Sequence, residues 1–363
     1  MTKKTGWKVG FLICSLAILV SMEPVSVQAY SPEAAHRPLS SLALETFRAC
    51  FHKDPFRGAR ERIIDGNAAM DEGMRNLTDD DILDDTKVRI FSALQRGVNW
   101  HFFNPEMTDT KFTERAPGFL GEILVTMLGL DREIEQSYRR PWDRLKKAFA
   151  NAGNLSDKAR IRSDRALYLG GLLHLLEDVS VPAHVIPVFH SVTLIRFIGD
   201  FDDQVDYLRG ARQVDGLSIK DAIDSMPADM DKLAAHVDIN RADFCKLVMD
   251  GPMEPDSIRD RLAGETLELT ETSIPGSNCS HLKWNTFWTV KERSGNDYFG
   301  KYNLAKGHPL FNKAGSIPGP AGTPECKFTD GDNAYSDFVF KAHLLALKAD
   351  LRLLNWASTG FQP

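Results

Sequence analysis

The sequence has no excess of positive charge and no apolar run long enough to suggest several membrane spans. Its net charge is −6 over 363 residues, and non-specific binding to phosphate backbones depends on clustered Lys and Arg. The apolar run near the N-terminus, residues 9–20, falls short of the roughly 20 residues that a membrane-spanning helix needs. A Ser/His/Asp signature, a Walker loop and a dinucleotide-binding fingerprint are also absent. These absences argue against multispan membrane proteins and against the common nucleotide-binding classes.

The N-terminus has the pattern of a secretory signal. Three lysines precede the apolar run, and "SMEPVSVQA" follows it before Tyr30. A basic start, a short apolar centre and a small residue at the cleavage point predict a signal peptide over residues 1–29, cut between Ala29 and Tyr30. The mature chain is then expected to be secreted or periplasmic. An uncleaved membrane anchor is the alternative.

Cysteine is scarce, which limits the possible disulfides. Four cysteines remain after the predicted cleavage: Cys50, Cys245, Cys279 and Cys326. In an oxidising compartment an even number permits two disulfides, in any of three pairings. The Gly/Pro-rich surroundings shared by Cys279 and Cys326 favour pairing between these two. Four free thiols are the alternative.

Apolar residues recur at helical spacing through most of the mature chain. Examples are "PLSSLALETFRACF", "DDTKVRIFSALQRGVNW", two helices broken near Pro141, "SDKARIRSDRALYLGGLLHLLEDV" and "AYSDFVFKAHLLALKADLRLLNWA". The helix ending in "HLLEDV" becomes almost wholly apolar, so we expect it to be central. Residues of about 273–333 are rich in Gly, Pro and Asn, which is typical of loops with short strands. Residues 30–363 are therefore predicted to form one all-α domain with a loop-rich insertion before the C-terminal helix.

The stretch "HLLEDVSVPAH", residues 174–184, contains the densest cluster of possible metal ligands. His174 and Asp178 are four residues apart and so share one face of the central helix. Burying both is costly unless something satisfies them. Pro182 is expected to end the helix, with His184 just beyond it. Two imidazoles and a carboxylate are common zinc ligands, but on spacing alone a buried helix with internally satisfied polar groups is an equally good interpretation.

Three further candidates lie upstream in a recognisable order. His36 opens "HRPLSSLA", Asp71 closes "GNAAMD", and His101 opens "HFFNP". The small residues before Asp71 would let another backbone approach closely. Taken singly, the first two would be called surface capping residues and the third a solvated loop histidine. Together with H-x3-D-x5-H, the order resembles the zinc-dependent phospholipase C and fungal single-strand nuclease superfamily, although Asn104 stands where that family has Asp.

This resemblance implies an all-α, phospholipase C/nuclease-like bundle around three zinc ions. The first ion would be bound by Asp71, His101, His174 and Asp178. The second would be bound by Asp178, which bridges the two ions, and by His36 and the amino group of Tyr30. The third would be bound by His184, Asp202 and Asp206. The last two aspartates replace the family's H-x3-E pair. For that segment a solvated acidic helix surface is the alternative, and a carboxylate-rich site would also suit Mn or Mg.

The resemblance also implies a reaction. Two close zinc ions lower the pKa of a shared water, and the cluster neutralises phosphate oxygens during in-line displacement. Asp71 is implied as the general base. The predicted function is a secreted or periplasmic zinc-dependent phosphodiesterase that hydrolyses phospholipid, with transient membrane contact and no stable protein partner. A single-strand nuclease or nucleotidase is the alternative on the same site.

The substrate is left open by the aromatic residues of the insertion. Trp284, Phe287, Trp288, Tyr298 and Phe299 would stack on bases, line a choline-sized pocket, contact a membrane, or simply pack in the core. A non-catalytic metal-binding protein with a degenerate third zinc site is the rival from another class. A calcium-binding fold would require six or more oxygen ligands, and the imidazoles argue against it.

Overall fold

The computed structural model describes about half of the chain in separate stretches. The described residues are 35–51, 54–70, 103–105, 139–152, 158–186, 226–250, 252–279, 282–286, 288–290, 300–302, 316–317, 326–327 and 331–361. Three predicted segments lie outside these stretches. They are the signal peptide, the helix at residues 84–100, and the first of the two helices that were predicted on either side of Pro141.

Helices dominate the described part, which confirms the all-α class. They are α1 (Arg37–Cys50), α2 (Arg60–Ala68), α3 (Arg139–Asn151), α4 (Lys158–Val179), α5 (Pro182–Val185), α6 (Met226–Ile239), α7 (Arg241–Met249), α8 (Pro255–Thr270) and α9 (Gly331–Ser358). Among the described helices, none has the length and apolarity needed to cross a membrane.

Two short antiparallel ribbons lie in the Gly/Pro-rich insertion, where the sequence predicted short strands. Strand β1 (Trp288–Val290) pairs with β2 (Gly300–Tyr302), with Thr289 opposite Lys301. Strand β3 (Ser316–Ile317) pairs with β4 (Cys326–Lys327). Strands of two or three residues add little to the core, so the ribbons do not change the helical class.

Helix α4 is the centre of the described core, as its apolar sequence predicted. Its last three turns are buried, including Leu172, Leu173, Leu175 and Leu176. Helices α2, α3, α8 and α9 all contact it. Because neighbours cover every side of these turns, any polar residue there must find its partners inside the protein.

Helices α2 and α4 cross with their backbones almost touching, which confirms the close approach predicted for the "GNAAMD" segment. A Cβ atom added to Gly66 would lie 2.2 Å from the carbonyl oxygen of Leu167, and one added to Gly170 would lie 2.0 Å from that of Ile63. Only glycine fits at either position. The crossing brings Asn67, the residue after Gly66, against the last turns of α4.

Helix α4 ends before Pro182. Its last residue is Val179, and the backbone N–H and the side-chain hydroxyl of Ser180 both donate to the carbonyl of Glu177, at 2.9 and 2.7 Å. Pro182 is the first residue of α5, where its missing N–H costs nothing. Proline therefore starts the next helix, and Ser180 closes the turn that ends α4.

Two disulfides connect the described segments. Cys279 pairs with Cys326, which confirms the pairing favoured by their surroundings, and Cys50 at the end of α1 pairs with Cys245 in α7. The first bond ties strand β4 to the segment after α8. The second joins elements 195 residues apart in sequence. Disulfides of this kind are typical of proteins from oxidising compartments.

Candidate metal centre

His36, His174 and Asp178 meet inside the core, and each has no exposed surface. Nε2 of His36 lies 3.6 Å from Oδ1 of Asp178, and Nε2 of His174 lies 3.4 Å from Oδ2. One ligand atom from each of the three residues fits within a span of 4.8 Å. His36 therefore converges on the His174–Asp178 pair of α4, although it is 138 residues before His174 in sequence.

The spacing of these atoms suits a metal ion. In a tetrahedral zinc site, bonds of about 2.0–2.1 Å place the ligand atoms about 3.3 Å apart. The two nitrogen–oxygen distances, 3.4 and 3.6 Å, are close to that value. Each imidazole approaches a different oxygen of Asp178, so the carboxylate is placed either to share one ion with both rings or to bridge two ions.

His36 is the N-cap residue of α1 but does not act as a capping side chain. It makes no side-chain cap hydrogen bond, and its ring stacks on that of His174 with 4.1 Å between the centroids. Pro38 follows in the first turn of the helix. The interpretation of His36 as a surface capping residue is wrong, because the ring turns inward to the face of α4.

A fourth buried residue, Glu177, supports the cluster from behind. Its carboxylate accepts hydrogen bonds from Nδ1 of His36, from Oγ of Ser40 at 2.9 Å, and from Nδ2 of Asn67 at 3.0–3.1 Å. These donors come from α1, α2 and the residue before α1. Glu177, which lies next to Asp178 on α4, thus connects α4 to both α1 and α2.

Asn67 connects this carboxylate to the second histidine. Its Nδ2 faces the oxygens of Glu177 and also lies 2.6 Å from Oγ of Ser40, while its Oδ1 lies 3.2 Å from Nδ1 of His174. The amide orientation follows from chemistry, because a carboxylate accepts hydrogen bonds and only the NH₂ group can donate them. Oδ1 is therefore left to accept from the Nδ1–H of His174.

Asp350, on α9, faces Glu177 from the side of the C-terminal helix. Burial raises the pKa of Glu177 well above its usual range, and the neighbouring carboxyl of Asp350 raises it further. Burial likewise raises the pKa of Asp350. The hydrogen bonds that Glu177 accepts from Asn67 and Ser40 act in the opposite direction and lower its pKa.

Another buried histidine, His343, lies two turns before Asp350 on α9. Burial lowers the pKa of His343 from 6.5 to about 4, so the ring is neutral at physiological pH. It is not part of the group formed by His36, His174 and Asp178. His343 is therefore a natural reference for a buried histidine outside the cluster.

The structure places only some of the predicted ligands. His184 is fully buried in α5 but is not a member of the three-residue group identified among the described residues. Five other predicted ligands lie outside the described stretches: Tyr30, Asp71, His101, Asp202 and Asp206. Glu177, Asn67 and Asp350 were not predicted. The available signal was Glu177 itself, a second acidic residue beside Asp178 in the mainly apolar last turns of α4.

The described residues of the "HFFNP" motif, 103–105, hydrogen bond to the backbone at His184 and the residue after it. The N–H of Phe103 donates to the carbonyl of His184 at 2.9 Å, and Nδ2 of Asn104 donates to the carbonyl of Val185 at 2.8 Å. The guanidinium of Arg259 lies 4.2 Å above the ring of Phe103. Asn104 donates here, which an ionised Asp would be unable to do, so Asn104 has a structural role.

One of the five aromatic candidates of the insertion is accounted for by packing. Trp284 is buried, and its ring lies 4.4 Å from that of Phe338 in α9. This tryptophan is a core residue that anchors the insertion to the last helix. Side-chain surroundings of the other four lie outside the described residues.

No family model, curated protein or solved structure matches the chain. The cluster is therefore interpreted from its own geometry.

Proposed function

We propose that this chain is a zinc-dependent phosphoric ester hydrolase of the phospholipase C/nuclease type, built on that family's helical bundle. The observation that supports the proposal is the convergence of His36, His174 and Asp178 in one buried group. His36 lies far from the other two residues in sequence, and all three occupy positions that the family pattern assigns to metal. Up to three zinc ions are proposed, with the remaining ligands taken from the other predicted positions.

The chemistry of the group favours a metal over a simple internal ion pair. Distances of 3.4 and 3.6 Å between nitrogen and carboxylate oxygen are longer than the 2.7–2.9 Å of a charge-assisted hydrogen bond. They match the separation of ligands around a shared ion. The Nδ1 atoms of both rings hydrogen bond to oxygens of Glu177 and Asn67, and these are the outer contacts that metal-binding histidines usually have.

A cation bound here would supply an activated water and a positive field for phosphate oxygens. The chain's own contribution is to hold the ligands in fixed orientations and to keep the inner side of the site dry. Asp71 is proposed as the general base. Phospholipid is the favoured substrate, and single-stranded nucleic acid or nucleotide esters are the alternative for the same site.

Export to an oxidising compartment fits this function. The two disulfides are stable outside the cytosol, which supports the proposed signal peptide over residues 1–29 and a secreted or periplasmic location.

The proposal is tested on the purified mature chain by metal analysis and by hydrolysis assays. Phosphatidylcholine vesicles, single-stranded DNA and bis(p-nitrophenyl) phosphate serve as substrates, before and after chelation. We expect bound zinc and chelator-sensitive turnover of at least one substrate. His174→Ala should lower both metal affinity and turnover by at least about 100-fold, more than a change behind the ligands costs.

The control is His236→Ala, which alters a half-buried histidine of α6 that hydrogen bonds to Asn240. Its metal content and turnover should equal those of the wild type. Bound metal with no turnover of any of the three substrates would instead support a non-catalytic metal-binding protein. A chain that binds no zinc would show that the cluster is an internal ion pair, and the proposal would fail.

A further inference from the structure

The structure assigns Glu177 as the positioning residue that fixes the protonated nitrogen of both His36 and His174, so that each presents Nε2 to a metal. This inference rests on the proposed metal site and adds a residue to it. Nothing in the sequence pattern gives Glu177 a role. Its position in the network does, because it contacts one histidine directly and the other through a single amide.

The first half of the network concerns His36. A neutral imidazole carries one proton, on either Nδ1 or Nε2. Nδ1 of His36 is in short contact with Oε2 of Glu177, and a carboxylate accepts hydrogen bonds. The proton is therefore held on Nδ1. Nε2 is left with its lone pair and faces Asp178 at 3.6 Å.

The second half concerns His174. Nδ2 of Asn67 lies 3.1 and 3.0 Å from the two oxygens of Glu177, which turns its Oδ1 towards Nδ1 of His174 at 3.2 Å. That oxygen can only accept, so the proton of His174 also stays on Nδ1. Nε2 of His174 then faces the second oxygen of Asp178 at 3.4 Å.

One carboxylate thus sets two tautomers, and the whole arrangement lies in the core. His36, Asn67, His174 and Glu177 have no exposed surface, so water does not compete for these hydrogen bonds. Ser40 adds a third donor to the same carboxylate. A metal-binding nitrogen must be unprotonated, and this network meets that requirement for both rings before any ion arrives.

The substitution Glu177→Gln tests the inference because it keeps the size of the side chain and replaces one accepting oxygen with a donating NH₂ group. If the new NH₂ group faces His36, it donates to Nδ1 and moves the proton of that ring to Nε2. If it faces Ser40 and Asn67, Ser40 must accept instead of donate, and Asn67 keeps only the amide oxygen that also faces His36. Either orientation weakens the hydrogen bonds that hold the protons of the two rings on Nδ1.

The readout is the tautomer itself, from the ¹⁵N chemical shifts of the imidazoles in metal-free protein labelled at histidine. His36→Ala and His174→Ala spectra assign the two rings. Wild-type protein should show both protons on Nδ1. Glu177→Gln should show a larger fraction of the Nε2–H tautomer on at least one ring, and its zinc affinity should fall by about 10- to 100-fold, the usual cost of losing an outer contact of a ligand.

Two further variants separate positioning from general destabilisation. Asn67→Ala should disturb the tautomer of His174 while leaving that of His36 on Nδ1. Glu177→Asp keeps an anionic acceptor and should restore part of the zinc affinity lost in Glu177→Gln. If Glu177→Gln does not fold, the wild-type spectrum and Asn67→Ala still decide the matter.

Failure of this inference is distinguishable from failure of the proposed function. A wild-type spectrum with the proton of His36 on Nε2 would show that Glu177 is itself protonated, and the inference would be overturned. It is equally overturned if His174→Ala loses zinc but Glu177→Gln keeps wild-type tautomers and affinity. If His174→Ala binds zinc like the wild type, the metal site itself is wrong.

Discussion

The two ends of helix α4 use polar side chains in opposite ways. Near its start, Arg162 donates to the backbone carbonyls of Pro55, Arg57 and Phe361 at 2.7, 2.7 and 3.0 Å. Arg165 likewise donates to backbone carbonyls, those of Phe149 and Gly360. Near its end, the polar partners of Glu177 are side chains.

The choice of partner explains what each end is for. A backbone carbonyl accepts hydrogen bonds whatever residue carries it, so the arginines join loops and the C-terminal turn to α4 without depending on protonation states. At the other end, imidazole, amide and carboxylate each have two possible arrangements, and the network selects one. The start of α4 connects distant parts of the chain, and its end fixes the side chains around His36, His174 and Asp178.

A substitution at the crossing of α2 and α4 should lower both the stability of the protein and its affinity for zinc. Gly170→Ala places a Cβ atom 2.0 Å from the carbonyl oxygen of Ile63 and 2.6 Å from the backbone nitrogen of Asn67. Backbone cannot yield as a side chain would, so α2 must move. We expect a loss of at least about 3 kcal/mol in the free energy of unfolding, measured by urea denaturation, together with weaker zinc binding as Asn67 is displaced.

Gly264 in α8 is the matched control, since an added Cβ there meets nothing within 4 Å. Gly264→Ala should stabilise the protein by up to about 1 kcal/mol through helix propensity and should leave zinc binding unchanged. Equal stabilities for the two alanine variants would show that the helices are farther apart than described.

A buried histidine outside the cluster should affect stability alone. The pKa of His343 is about 4 when folded and 6.5 when exposed, so the unfolded chain takes up a proton first as the pH falls. This histidine therefore costs nothing above pH 6.5, and its destabilising effect grows as the pH drops from 6.5 to about 4. At 1.36 kcal/mol per pKa unit, the full effect is about 3 kcal/mol.

His343→Leu should remove that dependence. Unfolding free energies of the variant and the wild type, measured from pH 7 to pH 4, should diverge by roughly 3 kcal/mol across the interval, with the wild type falling faster. Zinc affinity at pH 7 should be the same for both proteins. Parallel pH profiles would show that His343 is exposed to solvent, and a loss of zinc affinity would add it to the metal site.

Sequence patterns were sufficient for the parts of this molecule that depend on local rules. The apolar end of α4, the small residues at its crossing with α2, and the H-x3-D spacing each follow from helix geometry. His36 was added by its order in the motif series. Glu177 was not found, because its partners Ser40, Asn67 and Asp350 come from three other helices. An acidic residue in a helix normally implies solvent, and only the fold shows that this one has none.

The smallest expected effect belongs to a change that should separate the two ends of α4. Arg162→Ala removes three hydrogen bonds to backbone carbonyls from a partly exposed guanidinium, and water can take over part of these hydrogen bonds at an exposed site. We expect a loss of about 1–2 kcal/mol in the free energy of unfolding, with zinc affinity and histidine tautomers unchanged. Arg162→Lys should recover only part of the loss, because one ammonium cannot match the fixed fork of a guanidinium. If Arg162→Ala instead weakens zinc binding as much as Glu177→Gln does, α4 transmits strain along its length, and its two ends are one functional unit.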